Sequence, residues 1–214
     1  VSVLYGARIG NGNVIFPGAV ISAVPQDLKF RGEDTTAEVG DNNKIRENVT
    51  INRGTAAKGK TCVGSGNLLM ESVHVAHDAF VGNDCIIGNG TKLAGEIIID
   101  DHAIISANVL MHQFCRVGGY TMVGGGTRFS QDIPPYTICA REPVAYCGLN
   151  LVGLRRRGFS NELIENIHNT YRIIYQGGVP LNEALQKVRE EVPASPEINY
   201  IIEFIENSKR GFVH

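Results

Sequence analysis

Apolar residues recur at every sixth position through the middle of the chain. Val63, Leu69, Val75, Val81, Ile87, Leu93, Ile99, Ile105, Met111, Val117, Val123 and Phe129 are twelve successive members of one register. With 43% of residues hydrophobic, chance gives such a run with odds on the order of 10⁻⁵ in one register. The pattern therefore marks a repeat architecture. The residue after the aliphatic is small at Gly64, Ala76, Gly82, Gly88, Ala94, Ser106, Gly118, Gly124 and Ser130. An inward aliphatic followed by little or no Cβ suits a short strand at a sharp corner, where backbones stack closely. The pattern predicts a parallel β-helix with three hexads per triangular coil. Residues 18 apart then stack on one face, about 4.8 Å from each other.

The same beat runs through Val3, Ile9, Ile15 and Ile21 and breaks at Pro25-Gln26-Asp27-Leu28-Lys29. It predicts one loop over about 25–38 and, after Val39, Ile45 and Ile51, a second over 53–62. Insertions at fixed points of a solenoid gather on its functional side. The beat is already running at Val1, and a solenoid end needs a cap, so further coils are expected ahead of that residue. Beyond Phe129 the period fades through Asp132-Ile133-Pro134-Pro135. Ser160 can cap a helix with the stripe Leu163, Ile167, Tyr171 and Ile174, ended by Gly177-Gly178. A second helix is expected from Leu181 to Val192. Ser195-Pro196 sets the cap and first position of a third, carrying Ile198, Ile201, Ile202 and Ile205. These stripes are expected to cover the open end of the solenoid. The division is thus a β-helix over 1–145 and an α-helical domain over 146–214.

Composition removes several functions. A net charge of −2 provides no basic field of the kind that holds nucleic acid. Five cysteines with no CxxC or CxH spacing point to reduced, packed thiols rather than disulfides or zinc. The sequence shows neither a transmembrane run nor a signal peptide, so the expected compartment is the cytoplasm. GxSxG, HExxH and a phosphate-cradling glycine loop do not occur. The spacing of His74, His77, His102 and His112 includes no HxxxxH pair, which disfavours a metal.

The six-residue ruler then locates candidate chemistry. His77, Gly95 and Gln113 share one hexad position and are 18 apart, so they form a ladder. His112 sits where small residues otherwise stand, and such rule-breaking marks function more often than drift. An imidazole at His77 can act as general base, with Asp78 fixing its tautomer. Adjacent strand residues point apart, so that contact requires a corner. Gly95 permits a backbone N–H close to a developing oxyanion. Arg155-Arg156-Arg157, with Lys209 and Arg210, is a basic patch for phosphates or an acidic protein.

Val73-His74-Val75-Ala76-His77-Asp78, Met111-His112-Gln113-Phe114, Pro25-Gln26-Asp27-Leu28-Lys29 and Gly148 to Phe159 occur in this order. Together they resemble the UDP-N-acetylglucosamine acyltransferase family of lipid A biosynthesis, over essentially the whole chain. The resemblance implies a left-handed β-helix, whereas the crossover rule alone would favour a right-handed one. It implies a homotrimer with sites between subunits. The implied reaction moves an (R)-3-hydroxyacyl group from acyl carrier protein to the glucosamine 3-hydroxyl, with no metal or redox cofactor.

By the same resemblance, His77 is the base, Asp78 orients it and the Gly95 backbone serves the oxyanion. Gln26, Asp27, Lys29, His74, His112 and Gln113 position sugar nucleotide and acyl chain. Asn150, Arg156 and Arg157 bind the nucleotide end, and Gly125 leaves room for a long acyl chain. Asn52, Glu96 and Val152 depart from the family pattern and receive no role. A sister N-acyltransferase, a CoA-dependent acetyltransferase and a noncatalytic solenoid are the alternatives.

Overall fold

The computed structural model describes residues 1–214. Strands two to five residues long wind into three flat walls, and every pairing between successive coils is parallel. The first wall holds seven strands, among them Thr50–Asn52, His74–Val75, Lys92–Leu93 and Leu110–Met111. The second holds six, from Ala7–Ile9 to Arg116–Val117, and the third eight, from Val14–Ile15 to Ala145–Leu149. Cα partners across the walls are 18 apart along the uninterrupted stretch: Val75 with Leu93, Leu93 with Met111, and Met111 with Phe129. The fold is a left-handed parallel β-helix with a helical tail.

Each hexad contributes two inward residues rather than one. Besides the beat, the position two residues before it is buried, as at Val73, Ala79, Cys85, Ile97, Ala103, Val109 and Cys115. The small residue after the aliphatic is required by the neighbouring coil. A Cβ on Gly64 would fall 2.5 Å from the Gly82 carbonyl oxygen, and one on Gly88 2.5 Å from the Ala107 nitrogen. The corner proper lies three residues past the aliphatic, in left-handed backbone. Asn48, Ser72, Asp78, Asp84, Glu96, His102, Asn108, Phe114 and Tyr120 all have φ between 53° and 69°.

The two loops are shorter than the sequence indicates. Thr36–Val39 and Lys60–Val63 already pair as second-wall strands. The boundary with the tail is also later than 145. Ala145–Leu149 pairs antiparallel with Thr137–Ala140 at the edge of the third wall. The short helix α1, Leu151–Arg156, follows and was not foreseen. Then come α2, Asn161–Gln176, α3, Leu181–Glu191, and α4, Pro196–Glu206. Ser160 and Ser195 accept from the N–H groups of Leu163 and Ile198, as caps should.

Helix α2 lies against the last strand and coil, Tyr171 and Tyr175 packing on Tyr146 and the Tyr171 hydroxyl donating to the Pro135 carbonyl. The helices pack among themselves and with Tyr136 and Leu149 in a second apolar cluster, on the flank of the last coils. Tyr200 pins α4 there, its hydroxyl donating to Asp100 and accepting from the Gly119 N–H. Val213 joins the solenoid core and donates from its N–H to the Asp132 carbonyl.

Candidate active site

The predicted ladder stands at the corner between the first and second walls. His77, Gly95 and Gln113 each follow a first-wall strand by two residues, and those strands are in register. A Cβ built on Gly95 would lie 2.6 Å from His77 Cε1, 2.7 Å from His77 Nε2 and 2.8 Å from Gln113 Nε2. A methyl there would have to push both side chains aside, so glycine serves close approach here rather than a positive φ. No acceptor within the chain takes the Gly95 N–H.

The corner supplies the contact that a flat strand forbids. Asp78 adopts φ 60°, which swings its carboxylate back toward its neighbour. His77 Nδ1 then lies 2.9 Å from Asp78 Oδ2. Asp78 is 1% exposed and His77 7%. Such a buried carboxylate needs donors, and the second loop provides them: the Thr55 N–H reaches Oδ1 at 2.9 Å and the Thr55 hydroxyl reaches Oδ2 at 2.6 Å. The Asp78 N–H donates to Thr61 Oγ1 at 2.8 Å. Sequence reasoning missed both threonines; the only signal was their place in an insertion on the functional side.

The ring edge of His77 opens onto a groove along the first wall. One cavity of about 530 Å³ is lined by Gln26, His74, His77, Gly95, His112 and Gln113 among others. A second, about 750 Å³, shares His77, Gln26 and Gln113 and adds Asp27, Lys29 and Glu96. A third, about 570 Å³, continues past His112 along Leu110, Met111, Phe129 and Val144. The groove thus runs from the polar first loop, past the imidazole, to a mixed stretch at the last coil, where Arg128 and Glu142 stand beside Phe129 and Val144. Asp27 also shapes its own loop, accepting the Lys29 N–H on Oδ1 at 2.9 Å.

His74 accepts or donates at Thr50 Oγ1, 2.7 Å from its Nδ1. Burial, then the charge of Lys92, then His77 push the pKa of His74 below its ordinary value. Its neutral ring therefore persists beside the groove. Of the three departures from the family pattern, Glu96 lines the cavity 3.9 Å from Lys58 of the second loop. Asn52 is buried, donating to the Val24 carbonyl at 3.3 Å, and Val152 is exposed.

Four predicted residues stand elsewhere. Asn150 caps α1, accepting the Gly153 N–H, while its amide donates to the Tyr120 carbonyl. Arg157 donates to His102 Nδ1 at 2.8 Å and lies over the Tyr120 ring. Burial, followed by the Arg157 charge, lowers the His102 pKa, which suits the ring as an acceptor. His102 and Tyr120 are corner residues between the second and third walls, so Asn150, Arg157 and the exposed Arg156 do not meet His77 within one protomer. Gly125 lies apart as well, exposed at the corner between the third and first walls.

A left-handed β-helix with a buried His–Asp pair opening on a long groove is the frame in which the likenesses to known acyltransferases are read. Comparison with known proteins identifies the class. The family model described as UDP-N-acetylglucosamine O-acyltransferase, domain 2, matches residues 132–213. The chain is similar to LpxA, a UDP-N-acetylglucosamine acyltransferase from Bacteroides fragilis, at 73% identity and a TM-score of 0.97, covering 99% of this chain and 83% of that one. LpxA from Acinetobacter baumannii is 38% identical with a TM-score of 0.94, covering 100% and 84%. The Arabidopsis UDP-N-acetylglucosamine acyltransferase is 32% identical with a TM-score of 0.90, covering 99% and 81%. The chain belongs to the UDP-N-acetylglucosamine acyltransferase family.

Proposed function

We propose that this chain transfers an (R)-3-hydroxyacyl group from acyl carrier protein to the 3-hydroxyl of UDP-N-acetylglucosamine, the first step of lipid A biosynthesis. The observation that carries the reading is His77: Nδ1 lies against Asp78 and the Nε2 edge faces Gly95 in an open groove. With Nδ1 protonated, Nε2 takes the proton of the sugar hydroxyl as its oxygen attacks the thioester carbonyl. Asp78 stabilises the imidazolium that forms. The Gly95 N–H donates to the oxyanion of the tetrahedral intermediate. Collapse restores the carbonyl and expels the pantetheine thiolate, which recovers the proton from His77.

Gln26, Asp27, Lys29, His74, His112 and Gln113 hold the sugar and acyl groups along the groove. Asn150, Arg156 and Arg157, at another corner, reach the nucleotide from a neighbouring copy, which supports a homotrimer with composite sites. The exposed Arg155–Arg157 run suits an acidic carrier surface. The donor thioester arrives on the carrier's phosphopantetheine, and no metal enters these steps. No helix is long and apolar enough to cross a membrane. The proposed compartment is the cytoplasm, in keeping with five free cysteines.

His77→Ala is expected to lower turnover by about 10² or more while leaving the melting temperature near wild type. Acyl-carrier and acetyl-CoA donors should be compared with UDP-N-acetylglucosamine and its 3-O-acyl product as acceptors, and the product mass gives the acyl length. Activity with acetyl-CoA alone, or an active His77→Ala, would overturn the proposal.

A further inference from the structure

We propose that Thr55 is a positioning residue that holds the Asp78 carboxylate and thereby selects the tautomer of His77. This rests on His77 being the base of the reaction proposed above. The second loop leaves the first wall after Asn52 and returns at Lys60. Its backbone is tied down on both sides of Thr55: the Gly54 N–H donates to the Thr36 carbonyl at 3.0 Å, and the Gly59 N–H to the Thr55 carbonyl at 2.7 Å. Thr55 itself is 7% exposed.

The Asp78 side chain accepts three hydrogen bonds, and Thr55 makes two of them. The direction of the hydroxyl bond is set by a fourth group. The Ala57 N–H approaches Thr55 Oγ1 at 3.2 Å, and an N–H can only donate. The remaining partner of the hydroxyl is Asp78 Oδ2, and the hydroxyl donates its single proton there. Both Thr55 donors thus hold a carboxyl that is 1% exposed. An ionised Asp78 can only accept from His77, so Nδ1 carries the ring proton and Nε2 presents a lone pair beside Gly95. Without the hydroxyl, Asp78 Oδ2 loses one of its two partners and the carboxylate can rotate away from Nδ1, which releases the ring from the orientation and tautomer that a base needs. Thr55 reaches no reacting atom and acts through Asp78 alone.

The test compares Thr55→Val, nearly isosteric, with Thr55→Ser, which keeps the hydroxyl. Turnover in Thr55→Val should fall about tenfold or more, with KM for UDP-N-acetylglucosamine moving by less than about twofold. Thr55→Ser should restore most of the loss. In an Asp78→Asn background the valine should cost nothing further, because both changes remove one interaction. An unchanged turnover in Thr55→Val, or an equal loss in both backgrounds, would overturn the proposal. The unaltered chain supplies a measurement independent of how the variants fold: imidazole ¹⁵N shifts, assigned by loss of the signals in His77→Gln. The Nδ1–H tautomer is expected, and an Nε2–H ring would sink the assignment. Should His77→Ala stay fully active, the general-base reading fails, while the tautomer measurement still reports on Thr55.

Discussion

At the scale of single residues, the site depends on two adjacent side chains meeting around a left-handed corner. An L-residue at φ 60° is strained by roughly 1–2 kcal/mol, and Asp78 tolerates it because its carboxylate is bonded to Thr55 of the second loop and its N–H to Thr61 of the strand that follows. Gly95 has the complementary constraint. In Gly95→Ala the methyl would meet the His77 ring and the Gln113 amide, both movable, so the fold should survive with the imidazole displaced. A misplacement near 1 Å is enough to cost about 10² in rate. Steady-state kinetics beside a thermal melt should show turnover falling by that order with little change in melting temperature. His74 carries a pH signature. Its folded pKa lies below its ordinary value, so near pH 6.5 and below the unfolded chain binds the proton first. Stability should therefore fall as pH drops from about 6.5 toward the folded value, and no contribution should remain above about 7. Urea titrations across that window should give a flatter profile in His74→Gln.

At the scale of elements, a polar ladder climbs one corner and ties successive coils together. Asn13 Oδ1 accepts the Asn43 N–H at 2.8 Å, Asn43 Oδ1 accepts from Asn67 at 2.9 Å, and Asn67 Oδ1 accepts from Cys85 at 2.7 Å. The Asn67 amide also donates to the Gly82 carbonyl at 2.9 Å. Asn67 is 1% exposed, so water does not replace it. Asn67→Ala would leave a buried donor and a buried acceptor unpaired, at about 1–3 kcal/mol each. Chemical denaturation should register a loss of that order. Cys85, Ala103 and Thr121 continue the same column. The six-residue spacing puts these residues in one column, two places ahead of the aliphatic. It does not give their bonding, because spacing names a position and not the direction of an amide.

At the scale of the molecule, the catalytic corner and the basic helix corner belong to different edges of the prism. Within one protomer Arg156 and His77 cannot serve the same substrate, so the proposed site joins two copies. His77→Ala and Arg156→Ala chains, each of low activity alone, should regain activity when unfolded together and refolded as a mixture. Random assembly would leave about a quarter of the interfaces with both native residues. Separately refolded and then mixed chains provide the control, and no recovery in the co-refolded sample would count against composite sites. The tail fixes the geometry of this edge. Tyr200 clamps α4 to Asp100 and Gly119, and Arg157 reaches His102 over Tyr120.

The sequence alone determined the prism, the register and the ladder of His77, Gly95 and Gln113, because a six-residue repeat turns linear distance into stacked height. It also marked three of the four helices, whose caps are local chemistry. Only the tertiary structure decided what depends on backbone torsion and on segments remote in sequence. The left-handed corner brings Asp78 back to His77, and an insertion returning from Asn52 delivers the Thr55 donors. Val213, far along the chain, joins the solenoid core. Short-range pattern fixes which residues share a wall; which polar groups pair across it depends on chain paths that no period encodes.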